Sequence, residues 1–162
     1  MGAAQRLAEL GLSLPAVAAP VAAYVPAVRS GRYVHTSGQL PFVDGTLPAT
    51  GKVGADVGPD EAAALARTAA INALAAVAAL VEREGGPAGA DALDRVVRVV
   101  KVVGFVASDP SFTAQPAVIN GASLLLHDVL GEAGVHARSA VGVAVLPLDS
   151  PVEVEIVVEL VD

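Results

Sequence analysis

A single arginine stands at the start of an apolar run near the C-terminus, in the stretch HARSAV (136–141). Arg138 is the last basic residue of the chain, and the small residues behind it leave room for a small ligand. The planar fork of donors on a guanidinium suits a carboxylate in particular. The position therefore predicts either a carboxylate-binding arginine or an edge arginine that pairs with an acid on a neighbouring strand.

Paired glutamates follow closely, in the stretch VEVEI (152–156). Side chains alternate across a strand, so Val152, Val154, Ile156, Val158 and Leu160 share one face and Glu153, Glu155 and Glu159 share the other. These carboxylates form either a site with the arginine or the solvent face of an edge strand. Tyr24 and the turn T-S-G-Q at 36–39 are the other candidates for a site.

Other kinds of chemistry find little support. His35, His127 and His136 lack the spacing of metal ligands, so no metal site is predicted. There is no nucleophile elbow, phosphate loop or dinucleotide fingerprint, and a serine nucleophile would need a base partner that the sequence does not identify. Asn120, Ser123 and His127 share one face at helical spacing, a pattern more typical of a solvated surface than of a site.

Length and composition limit the class of protein. The chain has 162 residues, the size of one domain, and we treat 1–162 as a single domain with an N-terminal extension at 1–20. Ten basic against seventeen acidic residues give a net charge of −7, which argues against a nucleic-acid partner. Hydrophobic residues make up 54% of the chain, and this excess predicts a homo-oligomer that covers apolar surface.

The sequence gives no sign of a membrane protein. No stretch reaches about 18 consecutive apolar residues, so no membrane-spanning helix is expected. Charges inside the first segment, MGAAQRLAELGLSLP, make it a poor signal peptide. We therefore expect a cytoplasmic protein without a membrane partner.

Hydrophobic periodicity and turn signals divide the chain into helices and strands. The predicted elements are a short helix at 4–10, a hairpin at 28–37, a long helix from Pro59 to Gly85-Gly86, a long strand at 95–106 with a bulge or twist, a helix from Pro116 to Gly131 or Gly134, and strands at 140–145 and 152–160. Two helices between groups of strands indicate an α+β domain whose helices pack on one face of a mixed sheet.

Three motifs occur in a defined order: TSGQLP (36–41), ARSAV (137–141) and LP…VEVE (146–155). Together they resemble the RidA family, also called the YjgF or endoribonuclease L-PSP family, from about Val21 to the C-terminus. The resemblance implies a chorismate-mutase-like fold, a homotrimer with clefts between subunits, and no metal or organic cofactor. The activity that it implies is hydrolysis of reactive enamines and imines, such as 2-aminoacrylate, to 2-keto acids and ammonia.

The same resemblance implies three catalytic residues. Arg138 matches the arginine that grips the substrate carboxylate, which makes a small carboxylate or imine metabolite the expected ligand. Glu153 matches the acid that positions or activates water. Tyr24 matches the tyrosine of the family's N-terminal arm.

Four further residues are implied as substrate contacts. Ser37, Gly38 and Gln39 match the turn beside the family's pocket. Asn120 sits where the family has an asparagine at the start of its second helix, although its spacing to Arg138 requires a small gap.

The sequence also departs from the family pattern. Ala22-Ala23 precede Tyr24 where Gly-Pro is usual, His136 stands in place of a proline, and Gly142 stands in place of a common glutamate. With longer loops, these departures indicate a divergent, longer subgroup. A module that binds a small carboxylate without turnover is therefore the alternative to a deaminase, and an endoribonuclease is a weaker third possibility.

Overall fold

The computed structural model of the chain describes residues 1–17 and 23–162. Residues 18–22, which include part of the predicted N-terminal extension and of the arm before Tyr24, lie outside the described residues. The helices and strands are, in chain order, α1 (Ala3–Glu9), β1 (Ala27–Ser30), β2 (Tyr33–Thr36), α2 (Pro59–Arg83), β3 (Val96–Ala107), α3 (Gln115–Leu130), β4 (Ala137–Val143) and β5 (Val152–Leu160), with 3-10 turns at Gly89–Arg95, Gly131–Gly134 and Pro147–Asp149.

The strands form one mixed sheet in the order β1-β2-β5-β3-β4. Three neighbouring pairs are antiparallel, whereas β3 and β4 run parallel, with α3 as the crossover between them. The β1–β2 hairpin turns at Gly31, whose positive φ of 60° suits glycine. The order leaves β1 and β4 as the two edges and places the C-terminal strand β5 in the centre.

The two longest strands follow their predictions closely. β5 has its predicted bounds, and its buried residues alternate with half-exposed ones along the whole strand. β3 was predicted with a bulge, and its pairing with β5 shifts register twice, between Val96 and Arg98 and between Val99 and Lys101. The prediction for β4, 140–145, was wrong at both ends, because the parallel ladder with β3 begins at Ala137 and ends at Val143.

Helix α2 begins at Pro59, with Asp60 and Glu61 in its first turn, and ends just before Gly85. Its many alanines let it lie close to its neighbours, and α3 approaches so closely that any side chain at Gly121 would collide with the Ala63 carbonyl. By length and composition α2 is apolar enough to cross a membrane, but 67% of its apolar window is buried inside the domain. That burial is typical of a core helix.

Both long helices cover the same face of the sheet. Val152, Val154 and Ile156 of β5 are buried on this face, and Gly104 of β3 lies against Ile119 of α3. The opposite face, which we call the open face, carries Glu153, Glu155 and Val157 of β5 and Val141 of β4, the last of which is 44% exposed. The domain is therefore the predicted α+β fold, two layers with one bare sheet face.

Candidate functional site

Arg138 is held by two side chains of α3. It pairs in register with the buried Val102 of β3, so its side chain lies on the helix side of the sheet. Its Nη1 donates to Asn120 Oδ1 at 2.8 Å and to Ser123 Oγ at 3.1 Å. Arg138 therefore lies at the sheet edge with its guanidinium fixed against α3, next to the predicted contact Asn120.

His136 extends this cluster. Its Nε2 lies 2.9 Å from Ser123 Oγ, and its Nδ1 lies 2.6 Å from the carbonyl oxygen of Gly134. Burial lowers the pKa of His136, the Gly134 carbonyl partly offsets this, and the nearby positive charge of Arg138 lowers it further. The imidazole is therefore expected to be neutral near pH 7. We call Arg138, Asn120, Ser123 and His136 the arginine half-site.

The interpretation of the α3 polar stripe as a solvated face agrees with Asn120 and His127, which are exposed, whereas Ser123 is only partly exposed. Asn120 and Ser123 contact Arg138, whereas the ring of His127 only meets the Gly131 carbonyl, 3.2 Å from its Nδ1. The 120/123 spacing was a visible signal, because residues three apart lie on one side of a helix. The sequence did not show that β4, with Arg138, faces these two residues.

Part of the Arg138 guanidinium remains available to a ligand. Across residues 1–17 and 23–162, neither Nε nor Nη2 makes a hydrogen bond, and no carboxylate lies within ion-pairing distance of the side chain. The alternative of an edge arginine paired with a neighbouring acid therefore finds no support within this part of the chain. By contrast, the glutamate face does include such a pair, between Glu159 and Arg32 at 3.4 Å.

Glu153 forms the centre of a second cluster, on the open face. It is half-buried beside Phe105 of β3, and burial, with a smaller contribution from the negative charge of Glu155, raises its pKa. Gly38 packs directly against it, so that a Cβ at position 38 would collide with the Glu153 carboxylate. The predicted acid and one predicted pocket residue are thus in contact.

Backbone hydrogen bonds position the turn at 37–39. Gln39 exchanges two of them with Val154, at 2.8 and 3.0 Å, which fixes the turn beside β5. Ser37 Oγ donates to the Val25 carbonyl at 2.6 Å and so holds the arm next to Tyr24, whose side chain is 54% exposed. We call Glu153, Ser37, Gly38, Gln39 and Tyr24 the glutamate half-site.

A partly buried amide on α2 supports this turn, and sequence reasoning missed it. Asn72 Nδ2 donates to the carbonyls of Leu40 and Phe42, at 2.9 and 3.1 Å. Asparagine in the middle of an alanine-rich helix was the available signal, because its amide needs partners when it is removed from water.

The two half-sites do not meet within one chain. Strand β3 lies between β4 and β5, and the side chains of Arg138 and Glu153 point to opposite faces of the sheet. A surface cleft of about 460 Å³ opens beside His136 and Arg98 and includes neither Arg138 nor Glu153. Nor do three His, Asp or Glu side chains of the described residues converge as metal ligands.

Comparison with known proteins identifies the family. The family model described as "YjgF/chorismate_mutase-like, putative endoribonuclease" matches residues 4–160. The curated relative Protein TCP17 of Trypanosoma cruzi is 47% identical over 158 residues, which cover 97% of this chain and 93% of the relative. The chain belongs to the YjgF family, whose other name is RidA.

Solved structures agree on the fold. Protein Atu1372 of Agrobacterium tumefaciens is 43% identical, with a TM-score of 0.85 and coverage of 98% of this chain and 92% of that one. Escherichia coli TdcF, solved with bound serine, is 27% identical, with a TM-score of 0.56 and coverage of 92% and 94%. The chain is thus nearer in backbone to Atu1372 than to TdcF.

Proposed function

We propose that the protein hydrolyses small enamines and imines that carry a carboxylate, and that it releases 2-keto acids and ammonia. The observation that carries this proposal is the state of Arg138: two side chains fix its Nη1, while its Nε and Nη2 make no hydrogen bond to the residues that the structure describes. Such a guanidinium suits a planar carboxylate. Family membership supports the choice of reaction, and TdcF, with its bound serine, is a relative that holds a small amino acid.

The proposed reaction needs only water. An enamine such as 2-aminoacrylate first shifts a proton to become the imine. Water then adds to the imine carbon, the carbon–nitrogen bond breaks, and ammonia leaves with the protons that balance the step. Arg138 holds the carboxylate and fixes the imine carbon in place, so that attack by a bound water becomes effectively unimolecular.

Glu153 is the proposed proton carrier. A carboxyl group whose pKa is raised by burial holds and releases a proton closer to neutral pH than an exposed one does. Glu153 accepts a proton from the attacking water and returns it to the leaving nitrogen. Gly38 leaves the space that the carboxylate occupies. Tyr24, Ser37 and Gln39 are the proposed neighbours of the substrate on this side, as the family resemblance implies.

The site is proposed to form between subunits of a homotrimer. One chain holds its two half-sites on opposite faces of the sheet, so a single substrate reaches both only if two chains meet. The bare open face supports this assembly, because Val141 is exposed there and Val103 and Phe105 are only partly covered. In a closed ring, each chain offers its arginine half-site to one neighbour and its glutamate half-site to the other.

Ammonia release tests the activity directly. With 2-aminoacrylate generated by a separate enzyme, the wild-type protein is expected to accelerate ammonia release and Arg138→Ala to lose at least about 100-fold of that acceleration. Arg98→Ala, an exposed arginine on β3, is the matched control and should stay active. Wild-type protein no faster than buffer would rule out this substrate.

A carboxylate-binding module without turnover is the second candidate. The observation that favours it is Gly142, where the family often has a glutamate and where Gln115 now fills the space. A thermal-shift screen of 2-keto acids and short carboxylates separates the two functions, because binding without ammonia release selects the module.

RNA cleavage is a third candidate, since the description of the family model includes an endoribonuclease. The net charge of −7 opposes it. Cleavage that survives exhaustive purification and Arg138→Ala, yet disappears with another substitution in this chain, would establish it.

A further inference from the structure

We propose that Ser123 and His136 are positioning residues that hold Arg138 in one orientation. In this orientation the ligand carboxylate binds the donor pair Nε–H and Nη2–H, and not the pair formed by Nη1 and Nη2. This inference rests on the proposed carboxylate site and adds the side of the guanidinium that the ligand uses. Neither residue contacts the ligand in this arrangement. Both act through Arg138.

The first step is a count of the hydrogens on Arg138. A guanidinium carries five: two on each terminal nitrogen and one on Nε. Nη1 makes two bonds, to Asn120 Oδ1 at 2.8 Å and Ser123 Oγ at 3.1 Å, and so commits both of its hydrogens. A carboxylate that bridged Nη1 and Nη2 would have to displace one of these bonds. The parallel pair that remains is Nε–H with Nη2–H.

The second step is the direction of the Ser123 hydroxyl. The Gly134 carbonyl can only accept, so the 2.6 Å contact places the proton of His136 on Nδ1. In the neutral ring, Nε2 is then an acceptor, and Ser123 donates to it across 2.9 Å. With its proton used in this way, the Ser123 oxygen turns a lone pair towards Arg138.

Arg138 would lose conformational entropy on binding a ligand if nothing held it beforehand. A free arginine side chain has many rotamers, and Arg138 lies on an edge strand, where few neighbours restrict it. A chain of bonds from Gly134 through His136 and Ser123 fixes the guanidinium before the ligand arrives. Affinity rises when ordering of this kind does not have to accompany binding.

A serine hydroxyl on a histidine nitrogen is also the arrangement of a nucleophile and its base. Two features oppose that role here. The Ser123 oxygen accepts a hydrogen bond from Arg138, which makes this oxygen a weaker nucleophile. Burial lowers the pKa of His136, which makes the imidazole a weaker base. The arrangement fits a support for Arg138 better than a catalytic dyad.

The first test requires no ligand. Long-range ¹H–¹⁵N NMR of the ring nitrogens should show His136 as the Nδ1–H tautomer, and separate Nη resonances should report slow rotation of Arg138. Ser123→Ala should merge those Nη resonances, whereas Ser123→Thr, which keeps the hydroxyl, should not. An Nε2–H tautomer of His136 would overturn the proposal.

The second test uses pyruvate as a carboxylate probe. Ser123→Ala is expected to weaken pyruvate binding about 10-fold, because a hydrogen bond to a charged group is lost. His136→Gln should weaken it less, and Ser123→Thr should restore it. The matched control is His127→Gln, because the His127 ring also meets a backbone carbonyl but makes no hydrogen bond with Arg138, Asn120, Ser123 or His136.

The outcomes separate this inference from the proposed function. If Arg138→Ala loses pyruvate binding while Ser123→Ala and His136→Gln bind like wild type, the positioning role is wrong and the carboxylate site stands. If Arg138→Ala binds like wild type, both are wrong.

Discussion

The two half-sites of this protein are built in contrasting ways. The arginine half-site lies on the edge strand β4, and side-chain hydrogen bonds to α3 hold its charged group. The glutamate half-site lies on the central strand β5, and backbone bonds around Gln39 shape it. Arg138 is fixed and keeps an open edge, whereas Glu153 is half-buried and has a raised pKa.

The separation of the two half-sites explains how one small domain can hold two opposite charges that do not pair with each other. An arginine and a glutamate in contact would form an ion pair and leave neither free for a substrate. On opposite faces, with β3 between them, they are roughly 10 Å apart across the sheet even before their offset along the strands is counted. Each group keeps its own chemistry until, as proposed, another chain brings the complementary half.

Mixing two inactive variants tests whether half-sites from different chains combine into one site. Arg138→Ala and Glu153→Gln are each expected to lose at least about 100-fold of activity. Co-refolded in equal amounts, they should recover about a quarter of wild-type activity, because in a random ring one interface in four joins two intact halves. The control is a mixture of Glu153→Gln with Glu153→Ala, which should recover nothing. No recovery in the first mixture would refute a site shared between two subunits.

A charge on the open face should separate the halves. Val141→Asp is expected to convert the proposed trimer to monomers and to remove activity, while the free energy of unfolding of each chain changes by only about 0.5 kcal/mol because Val141 is exposed. Leu10→Asp, an exposed leucine at the end of α1, is the control and should leave assembly intact. Light scattering at micromolar concentration decides; an active monomer would refute the proposed assembly.

A single methyl group at position 38 should disturb the glutamate half-site and leave the arginine half-site almost unchanged. Gly38→Ala places a Cβ where the Glu153 carboxylate lies, so we expect activity to fall about 10- to 100-fold as that group is displaced. Pyruvate binding at Arg138 should change far less. Gly58→Ala, where the added methyl meets open space, is the control. Equal losses in both alanine variants would indicate a general effect on folding.

Glu153→Gln should lower activity without lowering the stability of the fold. Because the folded state raises the pKa of Glu153, it binds this proton more tightly than the unfolded chain does, and stability falls as pH rises through the titration. Glu153→Gln should therefore be at least as stable as wild type at about pH 7, and this advantage should disappear towards about pH 4. Thermal unfolding at fixed protein concentration measures it. An advantage that grows as pH falls would contradict the raised pKa.

The local sequence pattern was sufficient to predict the bounds of elements whose buried residues recur at a regular spacing or whose ends carry proline or glycine. The alternation of 152–160 set the bounds of β5, and Pro59 with the glycines at 85 and 86 set those of α2. It failed for β4, whose first residues, Ala137 to Ser139, have little strand preference and become a strand by pairing with β3. The 3-10 turn at Gly89–Arg95 has no strong periodicity and was missed.

By itself, the sequence determined the residue types of the site, the family and the two-layer fold, because motifs and hydrophobic periodicity are local properties of the chain. Only the tertiary structure decided which residues belong together: Ser123 and His136 with Arg138, and the turn at 37–39 with Glu153. The reason is the strand order. It pairs segments more than a hundred residues apart, and it inserts β3 between two strands that follow one another in the chain.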